Sequence, residues 1–393
     1  MIPRRAALTL VAVAVISITG HACTAAPPAA EAPNAAWGST SVVEELAIGV
    51  DIGPEEYMFG GIRDMAVGPD GTIFVSAIEP ALIRQYDAEG NFVRDIGRQG
   101  QGPGEYQSPA LGVLADGRLA VWDFRANRLS LFSRDGDYEE SVTAESNIGG
   151  SEALHIDAGG SFHVLARAGF AEVAGQMTEL HEYSLNGTLL GRVAIPAPDP
   201  AGAAFTLSFE GLQPFTTRTL WAWSPLGYMV VGRNDRYDIE LRDPAGVVHL
   251  SRDIEPVALA AGEHAEWDAF RDRFLFLNRD RSIPVESDPI PSQKPYFRSI
   301  HAADDGRIWV WRYVAAVERE DILPRPEAPE RPLLTWREPP TYDVFEADGT
   351  FLGSVVLPND FAPHVFRGER IWGLHTDEDG VERVKRLRVE TSG

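Results

Sequence analysis

Apolar and polar residues alternate along most of this chain, in short runs that meet at an Asp-Gly pair or a similar turn. In RDMAVGPDGTIFVSA (63–77), one alternating run precedes the Asp-Gly pair and a second follows it. This pattern is the strongest short-range signal of a β-hairpin. Six such hairpins are predicted, at 63–77, 109–123, 152–166, 219–233, 298–312 and 363–376.

A second hairpin with its own turn follows each of the first hairpins. The second hairpins lie at 86–97, 132–142, 183–193, 241–250, 345–355 and 376–389. In the first, second and fourth units the two turn glycines are 19 residues apart, as in Gly71 and Gly90. Two hairpins form a four-stranded antiparallel sheet, and six such sheets around an axis form a β-propeller. The sequence therefore predicts an all-β, six-bladed propeller.

The sixth unit is one strand short, because too little chain follows residue 389 for a fourth strand. The segment SVVEELAIGV (41–50) alternates well and precedes the first unit. We expect this N-terminal strand to complete the sixth blade, so that both ends of the propeller share one sheet and close the ring.

Two insertions interrupt the repeat. Residues 258–281 carry large apolar side chains at helical spacing, which are Trp267, Phe270, Phe274 and Leu277. We expect one amphipathic helix packed on the propeller, with a partner-binding helix as the alternative. Residues 315–343 contain six prolines inside the fifth unit. A loop of this length is either functional or disordered, so it is a candidate lid over one face.

The N-terminus predicts export. Arg4 and Arg5 precede the apolar run 8–18, which is too short to cross a bilayer core that takes roughly 20 residues. Small residues then lead to Cys23, as in a bacterial lipoprotein signal whose cysteine becomes lipid-modified. Ordinary cleavage a few residues later is the alternative. The predicted segments are a signal peptide (1–22), an Ala/Pro-rich tether (23–40) and the propeller (41–393).

Composition narrows the classes of partner. A net charge of −23 repels nucleic acid and anionic lipid headgroups. We therefore expect no nucleic-acid partner, and membrane contact only through a lipid on Cys23, on the periplasmic side or the cell surface. Cys23 is the only cysteine, which excludes an internal disulfide and cysteine-based catalysis. We expect a monomer held together by its core packing.

The repeat resembles the NHL-type propeller repeat. The likeness is carried by Asn127 and Arg128 ahead of an aromatic-rich strand, and by the segment IGRQGQGPGEYQSP (96–109). With its signal and tether, the chain is similar to secreted bacterial six-bladed propellers of the NHL-like and TolB-like kind. This resemblance implies the fold and says little about function, because propellers carry many unrelated activities.

The glycine-dense segment 96–109 also invites comparison with a phosphate-binding loop. Such a loop runs from a strand into the N-terminus of a helix. Here a second strand follows, and the P-loop lysine is missing. We interpret the segment as the connector between the first two blades, with Arg98, Gln101 and Glu105 as candidate rim contacts.

The search for catalytic chemistry identifies no residue. The chain lacks HExxH, GxSxG and a P-loop lysine, so we assign no catalytic residue and no metal ligand. His155 and His163 flank one predicted turn and could face each other across the hairpin, although a surface or core position is commoner for such a pair. Acidic pairs such as Asp304 and Asp305 fit backbone capping at turns. No cofactor is evident, and calcium at these acidic turns is the alternative.

Position within the repeat gives a better indication of a site. The innermost strand of a blade should begin eight residues before the glycine of its first hairpin. These positions are Arg63, Pro109, Glu152, Thr219 and Arg298, with Arg218 beside Thr219 and His364 near the corresponding place in the sixth unit. We expect them to ring one mouth of the channel. The candidate ligand-binding residues among them are Arg63, Glu152, Arg218, Arg298 and His364.

Arginines that converge at a concave mouth suit an anionic ligand such as a carboxylate. The alternative is that each arginine pairs with a neighbouring acid, such as Asp64 or Glu152. These observations predict a binding or scaffold module for a protein, a peptide or a small anionic ligand. The alternative function is a hydrolase or lyase of the propeller lactonase or phosphotriesterase type, with a metal in the central channel.

Overall fold

A computed structural model describes residues 36–145, 153–167, 177–196, 207–208, 214–243, 245–280, 285–286, 288–322 and 332–392. The predicted signal peptide and the first part of the tether lie outside these residues. Within them, the chain forms thirty strands, one α-helix and one 3₁₀ turn, at Glu55–Tyr57.

The strands are numbered along the chain. The first fifteen are β1 (Thr40–Ile48), β2 (Ile62–Val67), β3 (Ile73–Ala77), β4 (Leu82–Tyr86), β5 (Phe92–Ile96), β6 (Arg98–Gln99), β7 (Glu105–Tyr106), β8 (Pro109–Val113), β9 (Leu119–Asp123), β10 (Arg128–Phe132), β11 (Tyr138–Thr143), β12 (Leu154–Ile156), β13 (Phe162–Arg167), β14 (Met177–Tyr183) and β15 (Leu189–Ala194).

The remaining elements are β16 (Leu207–Ser208), β17 (Thr219–Trp223), β18 (Met229–Arg233), β19 (Asp238–Asp243), β20 (Gly246–Ser251), α1 (Ala261–Asn278), β21 (Val285–Glu286), β22 (Phe297–Ala302), β23 (Ile308–Arg312), β24 (Val317–Glu318), β25 (Trp336–Arg337), β26 (Thr341–Phe345), β27 (Phe351–Val356), β28 (Phe361–Arg367), β29 (Arg370–Thr376) and β30 (Glu382–Thr391).

Six four-stranded antiparallel sheets form the blades, which confirms the predicted propeller. Blades 1 to 4 are β2–β5, β8–β11, β12–β15 and β17–β20. Blade 5 is β22, β23, β26 and β27, and blade 6 is β28, β29, β30 and β1. The twelve turn glycines of the predicted hairpins all have positive φ, a conformation that L-residues with a side chain rarely adopt.

The N-terminal strand closes the ring, as predicted. β1 pairs antiparallel with β30, from Thr40 opposite Thr391 to Ile48 opposite Val384. A bulge in β1 lies between Glu44 and Leu46. The residue at this bulge is Glu45, whose carboxylate accepts hydrogen bonds from three arginines of β29 and β30. They are Arg370 at 2.9 Å, Arg386 at 3.0 Å and Arg388 at 2.8 Å.

Closure of the ring should therefore depend on pH through Glu45. Partial burial raises the pKa of Glu45, but the hydrogen bonds and charges of the arginines, with Arg370 first among them, outweigh burial and hold the pKa below its ordinary value. A carboxyl whose pKa is lower in the folded state stabilises that state above its unfolded pKa of about 4.3, and the stabilisation is lost as the pH falls through the folded value. We expect Glu45→Gln to melt below wild type at pH 7, with a difference that narrows as the pH falls below about 4.3 and closes once it is below the folded pKa of Glu45.

Glu44→Gln is the matched control, because Glu44 is the preceding residue of the same strand and, among the described residues, its one ion pair is with Lys385, at 2.9 Å. Its side chain is half exposed, so its effect on the melting temperature should be small, as for most surface pairs. Melting curves followed by circular dichroism from pH 3 to 8 check the prediction. A Glu45 variant that tracks the Glu44 variant across this range would contradict it.

Large aromatic side chains pack between neighbouring blades. The ring of Trp122 in blade 2 lies 5.9 Å from that of Phe162 in blade 3. The ring of Trp309 in blade 5 lies 4.9 Å from that of Phe366 in blade 6. All four side chains are buried, and each such side chain removes roughly 150–250 Å² from water. This packing joins the blades without a disulfide.

The single helix of the described chain confirms the predicted helical insertion. Trp267, Phe270 and Phe274 of α1 pack against a buried pair formed by Phe215 and Ile290. The expectation for Leu277 is wrong, because this side chain is 61% exposed. The packed cluster ends at Phe274, one turn before Leu277. Among the described residues, α1 is the one α-helix, and it is not long and apolar enough to span a bilayer.

The proline-rich insertion of blade 5 lies against the helix in its described part. β24 and β25 pair antiparallel, with Val317 opposite Arg337. The carboxylate of Glu266 in α1 accepts hydrogen bonds from the backbone N–H of Thr335, at 2.7 Å, and from its hydroxyl. Residues 323–331 lie outside the described chain, so its role as a lid stays a prediction.

Candidate functional site

The innermost strands enclose a central cavity. β2 contacts β8 and β28, and β8 contacts β12, so these four strands form a continuous wall. They line a cavity of about 720 Å³, which the first hairpin turns of blades 4 and 5 complete through Leu226 and Asp304. Its apolar wall includes Met65, Ala110, Leu111, Leu154, Ile156 and Val365.

Three of the predicted channel-mouth residues line this cavity: Pro109, and the candidate ligand-binding residues Arg63 and His364. Arg63 and His364 lie at bulges of their strands: pairing shifts between Ile62 and Asp64 in β2, and between Pro363 and Val365 in β28. A bulged residue is left out of the ladder and its side chain is redirected. The same irregularity recurs at Arg298, between Phe297 and Ser299 of β22. The predicted equivalence of these three positions is therefore visible in the backbone.

Arg298 has a different environment from Arg63. Arg298 is not among the cavity-lining residues of the described chain. Its guanidinium forms an ion pair with Glu338 at 2.6 Å and lies over the rings of Trp311 and Tyr313, at 4.6 and 4.2 Å from their centroids. Arg298 therefore pairs with an acidic residue, as the alternative prediction has it. The acid is Glu338 of the proline-rich insertion.

The other predicted residues are Arg218, Glu152 and Cys23. Arg218 is also outside the cavity lining, and its backbone N–H donates to the side chain of Asn234 at 2.7 Å. Glu152 and Cys23 lie outside the described residues. Their roles stay predictions.

The three candidate rim residues belong to the connector between blades 1 and 2. The carboxylate of Glu105 accepts from the Arg98 guanidinium at 2.7 Å, and from the backbone N–H groups of Gln101 and Gly102 at 3.1 and 2.8 Å. None of these residues lines the cavity described above. Glu105 therefore holds the glycine-rich turn in shape, and the rim role of the three side chains stays a prediction.

Asp64 is a cavity residue that sequence reasoning named only as a partner for Arg63. Its carboxylate accepts hydrogen bonds from the backbone N–H groups of Met65 at 2.8 Å and Leu111 at 2.7 Å, which joins blade 1 to blade 2. Burial raises the pKa of Asp64 despite these bonds and the nearby charges of His364 and Arg63. Simple alternation places residues 63 and 64 on opposite faces, and the bulge is the reason that both line the cavity.

Three histidines lie on the innermost strands of blades 3, 5 and 6, and burial keeps two of them, His155 and His301, neutral at pH 7. His155 lines the cavity, and burial lowers its pKa to about 4. Burial has the same effect on His301, whose Nε2 is 2.9 Å from the hydroxyl of Ser299. His364 donates from Nδ1 to the carbonyl of Ala362 at 3.2 Å, which leaves its Nε2 for another partner.

An ion pair between blades 5 and 6 lies at the other end of the cavity. Arg367 of blade 6 forms an ion pair with Asp304 of blade 5 at 2.6 Å. It also donates to the backbone carbonyls of Val67 and Gly68 in blade 1, at 3.1 and 2.6 Å. The charges of Arg367 and Asp304 compensate each other at this end of the cavity, whereas Arg63 and His364 line it nearer the start of their strands.

The architecture is that of a six-bladed β-propeller with a central cavity of mixed polarity. The fold is similar to that of a solved Bacteroides fragilis structure, which is named as a protein expected to be exported. The TM-score is 0.50 and the sequence identity 8%, over 92% of this chain and 98% of that chain. A member of the DUF4221 family from Bacteroides vulgatus gives 0.48 at 10% identity, over 91% and 100%. Virginiamycin B lyase from Staphylococcus aureus gives 0.41 at 9% identity, over 90% and 99%.

No family model and no curated protein matches the chain. At 8% identity, the similarity to the Bacteroides fragilis structure supports the fold alone.

Proposed function

We propose that this protein is an exported, lipid-anchored propeller that binds a small organic carboxylate in its central cavity. Arg63 and His364 contact the carboxylate, and the apolar wall holds the body of the ligand. The observation that carries this proposal is the convergence of these two side chains on one cavity of about 720 Å³. Cavities of about 300–1,000 Å³ with apolar walls and a few polar groups are typical of small-molecule sites.

The chemistry of the two residues supports an anion. A guanidinium forms short, charge-assisted hydrogen bonds to carboxylates. The Nδ1 of His364 donates to the carbonyl of Ala362, so Nε2 is the ring atom that can contact the ligand. Both oxygens of Asp64 already accept backbone hydrogen bonds, from Met65 and Leu111.

Export and anchoring rest on the N-terminal pattern, with Cys23 as the lipid attachment site and the tether linking it to the propeller. The name of the Bacteroides fragilis protein of the same fold agrees with a location outside the cytoplasm. We further propose that the chain belongs with the NHL-like and TolB-like secreted propellers that its first two units resemble.

Binding of benzoate and phenylacetate, with benzamide and phenylacetamide as neutral isosteres, tests the proposal. We expect calorimetry to show saturable binding of at least one acid and none of the amides. Arg63→Gln should weaken that binding at least tenfold, because a hydrogen bond to a charged group contributes about 1.5–3 kcal/mol.

Arg298→Gln is the matched control, because Arg298 occupies the same bulge position in blade 5 but lies outside the cavity lining. This variant should bind the acid as wild type does. Equal affinity for an acid and its amide, or an Arg63 variant that binds as tightly as wild type, would overturn the proposal.

A further inference from the structure

A second cluster of reactive side chains lies in blade 3, at the wall of the cavity. Asp157, His163 and Glu182 place two carboxylate oxygens and a ring nitrogen within 4.8 Å of one another. Strand register brings them together: His163 in β13 is opposite both His155 in β12 and Glu182 in β14. Residues opposite each other in an antiparallel pair have side chains on the same face, and Asp157 follows His155 by two positions.

His163 is the unusual member of this cluster. It is only 1% exposed, and its Nδ1 has no hydrogen-bond partner among the described residues. Its Nε2 is 3.8 Å from Oδ2 of Asp157, beyond hydrogen-bond distance. Buried polar atoms almost always have a partner, yet no hydrogen bond within the described chain fixes this ring, whose Nε2 faces the cluster. One side of the ring is covered by Trp223 of blade 4, with centroids 4.7 Å apart.

The carboxylate of Asp157 is oriented by the turn that follows β12. Its Oδ1 accepts a hydrogen bond from the backbone N–H of Ser161 at 2.9 Å. Its Oδ2 faces His163. Asp157 also lines the central cavity, so an ion held beside it would be reached from the channel.

We propose that Asp157, His163 and Glu182 bind a divalent transition-metal cation of the Zn²⁺ class. One imidazole and two carboxylates are ligands that Zn²⁺ accepts, whereas Ca²⁺ takes six to eight oxygen ligands. Zn²⁺ ligands lie about 2.0–2.2 Å from the ion, so two of them are roughly 3.4 Å apart in a tetrahedral site. The 3.8 Å between His163 and Asp157 is close to this value, and no two ligand atoms of the cluster are more than 4.8 Å apart, so the ligands must move together by up to about 1.4 Å.

Three protein ligands leave one position of a tetrahedral ion for water or for a molecule in the cavity. The proposal goes beyond the carboxylate binding described above and does not depend on it, because Arg63 and His364 are not members of this cluster. The two can be separated experimentally: Arg63→Gln should leave metal binding unchanged.

Calorimetric titration of the chelator-treated protein with ZnCl₂ tests the site. We expect one saturable Zn²⁺ site in the wild type, and at least tenfold weaker binding in both His163→Gln and Glu182→Gln. His249→Gln is the matched control, because His249 also lies beside a carboxylate, with Nδ1 2.9 Å from Asp238, but on the exposed surface of blade 4. It should bind Zn²⁺ as the wild type does.

Melting curves recorded without metal show whether the two ligand variants are folded. If they are not, the visible absorption of the Co²⁺-loaded wild type decides, because His163 and two carboxylates should give the intense bands of a tetrahedral ion. The absence of saturable Zn²⁺ binding, equal Zn²⁺ affinity in wild type and both ligand variants, tighter binding of Ca²⁺ than of Zn²⁺, or only the weak bands of hydrated Co²⁺ would overturn the proposal.

Discussion

An Asp343→Ala variant is expected to lose about 3–5 kcal/mol of unfolding free energy, because it takes a fully buried carboxylate away from two partly buried arginines. Asp343 is fully buried in β26. Its Oδ2 accepts from the hydroxyl of Tyr237 at 2.8 Å and from Arg252 at 2.6 Å, both in blade 4. Its Oδ1 accepts from Arg312 at 3.1 Å. One carboxylate therefore joins blade 4 to blade 5.

Equilibrium unfolding in urea measures this loss. Asp321→Ala is the matched control, because Asp321 also pairs with an arginine, Arg319, but both side chains are exposed. Exposed pairs contribute about 0–1 kcal/mol, so the control should unfold close to the wild-type midpoint. A midpoint for Asp343→Ala that matches the control would show that the two blades do not depend on this carboxylate.

Lys294→Met should destabilise the protein by a similar amount, about 3–5 kcal/mol. The side chain of Lys294 is fully buried, and its ammonium lies 2.7 Å from Glu263 of α1 and 3.0 Å from Glu338 of the insertion. It also donates to the carbonyl of Val314 at 3.2 Å. Methionine fills the space but leaves both carboxylates without this cation, so α1 and the insertion should detach more easily from the propeller.

Lys385→Met is the control for a lysine whose partner is accessible, since Glu44 is half exposed. The double variant Lys294→Met/Glu263→Gln should recover part of the loss, because it removes the buried charge of Glu263, whereas Glu338 keeps its ion pair with Arg298. Urea unfolding, with limited proteolysis of the region around α1, measures both effects. Equal stabilities of Lys294→Met and Lys385→Met would contradict the prediction.

The candidate site was predictable only in part. The repeat gives Arg63 and Arg298 the same register and places His364 near the corresponding position, and of these three Arg63 and His364 line the cavity. It could not show that Glu338, forty residues away in the chain, would pair with Arg298. It also offered no sign that Asp64 would share the cavity with Arg63, because strand alternation predicts opposite faces and only the bulge changes this.

The residues of the proposed metal site were also predictable only in part. The sequence predicts that His155 and His163 could face each other across a hairpin. In the structure they are opposite residues of β12 and β13. Glu182 lies in the next hairpin of the unit, and its place beside His163 depends on the register between β13 and β14. A register shift of one residue would move its side chain to the other face of the sheet.

By itself, the sequence determined the hairpins, the blade count, the closure of the ring by β1 and the helical insertion. These features depend on turn residues and on apolar alternation, both of which act over a few neighbouring residues. The tertiary structure alone decided which charges share an environment: Glu45 with three arginines, Asp343 between two blades, Lys294 beneath α1, and Arg63 in the cavity while Arg298 is outside its lining. The residues of such pairs are far apart in the chain. Which of them meet depends on the positions of bulges and on the packing between blades, and neither can be read from a few neighbouring residues.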